Sequence, residues 1–77
     1  MHRELHVIAR EIGHTWAKPY FAAIPYLSAM RALSKITDSY GADDARGIVL
    51  YFLSNASSWR GDDARRIKAE LKAMLKD

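Results

Sequence analysis

Six consecutive large apolar residues, Ile48-Val49-Leu50-Tyr51-Phe52-Leu53, run through the middle of a chain of only 77 residues. Their β-branched and aromatic content suits a buried strand. No second segment offers itself as a strand partner, and a lone strand leaves its backbone N–H and C=O groups unpaired. The run is therefore expected to be helical. At 100° per residue, Ala45, Ile48, Val49, Phe52 and Ala56 share one face, while Leu50 falls among Arg46, Gly47, Ser54 and Ser57. A helix apolar on every side is either central in a bundle or covered by another molecule. Seventy-seven residues are too few to wrap one helix completely. Leu50 and Leu53 are thus expected to contribute to an exposed apolar patch.

The helical period recurs on both sides of this run. Leu5, Ile8, Ile12 and Trp16 keep the 3–4 spacing of one face, which predicts a first helix over about residues 3–16. It should stop before Lys18, which Pro19 pushes out of the helical region. Residues 19–24 form an unusually aromatic connection, expected to lie across the core. Pro25 suits the first turn of a second helix over residues 25–39, with Tyr26, Met30, Leu33, Thr37 and Tyr40 on one side and Gly41 as its left-handed stop. Asp43-Asp44 and Asp62-Asp63 supply carboxylates to the free N–H groups of helix starts, predicting a third helix over about 43–57 and a fourth over 62–76. The fourth turns Ala64, Ile67, Leu71, Met74 and Leu75 inward. The fold class that follows is all-α: one domain, 1–77, of four short helices, the last two forming a hairpin like a helix-turn-helix. The similarity of residues 43–48 to 62–67 is explained by two helices sharing one start signal.

Composition narrows the function classes. About half the residues are apolar and the net charge is only +3, which excludes a disordered chain. Without cysteine there is neither a disulfide framework nor a thiolate metal site. The longest uncharged stretches, 47–59 and 19–30, fall short of the roughly 20 residues of a membrane span. Met1-His2-Arg3-Glu4 lacks the apolar core of a signal peptide, so the cytoplasm is the expected location and no membrane partner is expected.

Chemistry-bearing constellations are few. His2 and His6 stand one helical turn apart, at metal-ligand spacing, but Glu4 is one residue later than the zinc-protease pattern requires. His14 lies about 80° from His6 around the helix. No metal is expected. Adjacent carboxylates on a helix point about 100° apart, so neither Asp43/Asp44 nor Asp62/Asp63 converges on one substrate atom. There is no nucleophile elbow and no phosphate-cradling glycine loop. No catalytic residue and no cofactor are expected, and the chain is not expected to be an enzyme.

Two surfaces remain. Arg65, Arg66, Lys68 and Lys72 cluster on the last helix as a candidate nucleic-acid face. Against it, recognition helices present their N-terminal residues to base edges, and here those residues are Asp62 and Asp63. The Trp59-Arg60-Gly61 turn holds Trp59 and Arg60, two types enriched at interface hot spots. Trp59 is alternatively a staple of the turn, packed on the fourth helix near Ile67.

Pro25-Tyr26-Leu27-x-Ala29-Met30, Tyr40-Gly41 and the stretch from Ile48 to Lys72 (IVLYFLSNASSWRGDDARRIKAELK) resemble a group of small helical proteins encoded by phages of actinobacteria, mycobacteriophages among them. The likeness spans most of the chain. It implies a phage product acting inside a bacterial host, outside the virion, and carries no activity or site residue with it. The expectation is thus a protein-interaction module that binds a host protein or a second copy of itself, a homodimer, through Leu50, Leu53, Trp59 and Arg60. The alternative is a DNA-binding regulator using Arg65, Arg66, Lys68 and Lys72.

Overall fold

A computed structural model describes residues 2–76; Met1 and Asp77, the two ends of the expected domain, lie outside the described residues. Four helices carry most of the chain: α1 (Leu5–Thr15), α2 (Ile24–Met30), α3 (Ala45–Ser54) and α4 (Asp62–Lys76). A 3-10 turn, Phe21–Ala23, leads into α2. A two-stranded antiparallel hairpin, β1 (Ser39–Tyr40) and β2 (Asp43–Asp44), separates α2 from α3 with Tyr40 opposite Asp43. The molecule is mostly helical but not purely all-α.

The correction lies in residues 31–44. The second helix stops at Met30 instead of continuing to 39, because polar side chains beyond it bond the backbone themselves. The Asp38 carboxylate accepts the amides of Ser34 at 3.0 Å and Lys35 at 2.9 Å. The freed carbonyls of Leu33 and Ser34 accept the amides of His6 and Leu5, both at 2.9 Å. Backbone from this loop therefore caps α1, whose own N-cap residue, Glu4, makes no capping side-chain bond. Gly41 is left-handed as expected, at φ +61°, but it turns the hairpin and does not end a helix. A glycine first in a two-residue hairpin loop is the II′ arrangement. Tyr40 and Thr37, expected inward, are exposed, and Leu27 takes the core place assigned to Tyr26, which is half-buried.

The other elements follow the apolar pattern closely. α3 buries Ala45, Ile48, Val49 and Phe52, and α4 buries Ala64, Ile67, Leu71 and Met74, with Leu75 half-buried. Asp44 caps α3 by accepting the Gly47 amide at 2.7 Å. Asp43, its expected partner in capping, sits in the hairpin instead. α3 ends three residues earlier than expected, where Ser54 Oγ and Asn55 Nδ2 donate to the carbonyls of Leu50 and Tyr51. The aromatic connection does not cross the core: of the 3-10 turn only Ala23 is buried, and Phe21 is 74% exposed.

Trp59 closes the interior. Its ring stacks on Trp16 at the end of α1, with centroids 5.4 Å apart and planes 11° from parallel, and both indoles meet Phe52 of α3 edge-on at 6.4 and 6.2 Å. Lys68 of α4 donates to the Trp59 carbonyl at 2.6 Å and holds its ammonium 5.8 Å from the ring centroid. One turn residue thus joins α1, α3 and α4. Trp59→Ala should cost about 3–5 kcal/mol, comparable to the whole stability of a domain this small, so thermal circular dichroism should show no cooperative transition. A variant melting within a few degrees of the parent would contradict the role given to this stack.

Candidate binding surface

The outer side of α3 is where the apolar run exceeds what the core can take. Leu50 is 55% exposed and Tyr51 56% exposed, in the middle of a helix whose other face is sealed. Leu53 is only half-buried and packs against the core, so it contributes less to the surface than expected. Beside α3 runs a cleft of about 570 Å³ walled by Pro25 and Tyr26 of α2, Tyr40 and Asp43 of the hairpin, and Tyr51 of α3. Ala29 and Ile48 also line it. The Tyr26 and Tyr51 rings stack across α2 and α3, centroids 5.5 Å apart and planes 27° from parallel. Ile24 and Phe21, which precede Pro25 in the chain, are also exposed.

The sequence-predicted interface residues therefore separate. Leu50 stands on the surface and Arg60 is exposed, whereas Trp59 is 3% exposed and enclosed by its own chain, which removes it as an anchor for a partner. Tyr26, Tyr40 and Tyr51 line the cleft, and the sequence period marks none of them as surface. The period puts Tyr26 and Tyr40 on the inward face of a single long helix; the break at Met30 sends them to the cleft from two different elements. Tyr51 carried a usable signal, since it lies at the margin of the α3 core face, next to Ile48 and Gly47.

The basic face of α4 is largely engaged by the chain itself. Arg65 pairs with Asp62, and Arg66 Nη2 lies 2.6 Å from Glu11 and 3.1 Å from Asp63. Lys68 is committed to the Trp59 turn, where burial, then Lys72 and Arg60, lower its pKa; Lys72 is exposed. Arg3 adds a bidentate bond to Glu70 at 2.9 and 2.7 Å and reaches Glu11 at 2.9 Å. This network ties α1 to α4. The guanidinium of Arg3 holds the Glu70 carboxyl below its usual pKa, and Arg66 followed by Arg3 does the same to Glu11. The Lys35 and Ser34 amides likewise depress Asp38.

Among the described residues, no group of three or more His, Asp or Glu side chains is arranged to hold a metal ion, and no helix is long and apolar enough to cross a membrane. Comparison with protein-family models, with curated proteins and with solved structures finds no match.

The depressed carboxyls fix the sign of the acid response. In the folded state Glu11, Glu70 and Asp38 bind fewer protons than in the unfolded chain, so their contribution to stability is complete above about pH 5 and is lost as pH falls through their folded values. Urea midpoints measured between pH 7 and pH 2 should fall on the acid side. Glu70→Gln should lower stability near pH 7 by on the order of 1 kcal/mol, since the pair is open to solvent on one side. It should also flatten the acid limb, the two curves converging at low pH; parallel curves would show that the Arg3–Glu70 pair does not carry the effect.

Proposed function

We propose that this chain is a non-enzymatic binding module that engages a protein partner through the outer face of α3 and the adjoining tyrosine-walled cleft. The observation that carries the proposal is the exposure of Leu50 and Tyr51 at the centre of a helix whose opposite face is closed. Apolar area left in water forgoes about 25 cal/mol per Å², which a partner recovers by covering it. Tyrosine is among the residue types enriched at interface hot spots, because a large ring loses little conformational freedom and its hydroxyl tolerates a wet rim. Three tyrosines from three elements present this combination around one cleft. In the setting implied by the resemblance to phage proteins, the partner is a host protein; a second copy of the chain is the other candidate.

The alternative of DNA binding through Arg65, Arg66, Lys68 and Lys72 draws less support. Three of those four heads are engaged within the chain, and Asp62 and Asp63 stand at the N-terminal end that would approach the groove.

Leu50→Asp tests the proposal because its side chain contributes little to the core. Stability should change by no more than about 0.5 kcal/mol. Association should be lost, whether read as concentration-dependent mass in sedimentation velocity or as binding of the host partner. A folded Leu50→Asp protein that associates as tightly as the parent would overturn the proposal.

A further inference from the structure

A second cleft lies away from the tyrosine surface, against the solvent side of α1. Its walls are His6, Arg10, Gly13 and His14 of α1 and Arg31 at the C-terminal end of α2, enclosing about 340 Å³. The α1 positions fall within about 100° of one another around the helix, opposite the buried stripe of Leu5, Ile8 and Ile12. Every charged side chain lining the cleft is basic. The arginines here differ from those of the α1–α4 network: Arg3, Arg65 and Arg66 are paired with carboxylates, whereas among the described residues no salt bridge holds Arg10 or Arg31.

Gly13 shapes the floor. A Cβ at this position would stand 3.0 Å from Arg31 Nη2, the far end of a flexible side chain, so the guanidinium lies close over α1 here. His14 is oriented as well. Its Nδ1 lies 2.8 Å from the Arg10 carbonyl, which can only accept, so Nδ1 carries the proton and Nε2 is left for another group. His6 is partly committed, its Nε2 lying 2.7 Å from a Glu4 carboxylate oxygen at the rim. The principal donors are therefore Arg10 and Arg31, with His14 beside them.

We infer that this cleft binds a phosphate group, with Arg10 and Arg31 as its ligands and the His14 Nε2 lone pair placed to accept from a protonated phosphate oxygen. Guanidinium forks match two oxygens of a tetrahedral oxyanion at once, which a lysine cannot do. No Phe, Tyr or Trp lines the cleft, so recognition centres on the phosphate, and free phosphate and the phosphate of a mononucleotide should both bind. The inference is independent of the protein-binding surface, which lies on other residues.

The test is titration of the whole chain with inorganic phosphate, and separately with a nucleoside 5′-monophosphate, followed by NMR of the His6 and His14 rings and the Gly13 amide. Sodium chloride at matched ionic strength is the control. The expected result is a saturable shift confined to these groups and seen with both probes, weakened by roughly tenfold or more in Arg10→Gln and in Arg31→Gln. Shifts reproduced by chloride, shifts unchanged in Arg10→Gln/Arg31→Gln, or a mononucleotide that binds when inorganic phosphate does not would each overturn the inference.

Discussion

A ten-residue helix that is apolar around its circumference can turn only one side toward a core, and the dimensions of this molecule leave no room for a second. Its shortest extent is 18 Å, against 29 and 26 Å for the others. A helix with its side chains is about 10 Å across, so the thin direction has no room for a layer on both sides of α3. α3 resolves the conflict by giving Ile48, Val49 and Phe52 to the interior and leaving Leu50 and Tyr51 outside. The tyrosine-walled cleft exists because the element beside α3 is the short α2, whose Tyr26 reaches across to Tyr51.

What lets α3 present that face is the fastening of the elements around it. The stacked indoles of Trp16 and Trp59, with Phe52 edge-on to both, fix the α3–α4 turn against the end of α1. At the other end of the same two helices, Arg3 and Glu70 join α1 to α4 across 67 residues of sequence. Residues 33–34 meanwhile satisfy the first amides of α1 with main-chain carbonyls. Each contact spans elements distant in sequence, so the surface carried by α3 depends on long-range packing and not on the propensity of α3 itself.

The helices were legible where one period ran unbroken between clear boundaries. α4 follows its expected limits, and the core face of α3 is legible because burial there obeys simple 3.6-residue geometry. Residues 31–44 were not legible, for a physical reason: the pattern Tyr26, Met30, Leu33, Thr37, Tyr40 satisfies a helical period by coincidence. Nothing in that spacing reveals that the Asp38 carboxylate will take the Ser34 and Lys35 amides, or that α1 needs the Leu33 and Ser34 carbonyls. The candidate surface was read in part. The outward position of Leu50 follows from angle alone, whereas the cleft depends on a hairpin that a single-period view does not contain. Trp59 is the converse case, a residue type enriched at interfaces that the chain uses for its own interior.

The most direct measurement of the central claim is solvent paramagnetic relaxation of side-chain protons, using a soluble gadolinium chelate on the dilute chain alone. Leu50 methyls and the Tyr51 ring should relax strongly while Val49 methyls and the Phe52 ring on the same helix stay protected. If Leu50 and Tyr51 prove as protected as Val49 at every dilution, α3 is enclosed on both sides within a single chain and no surface is left for a partner.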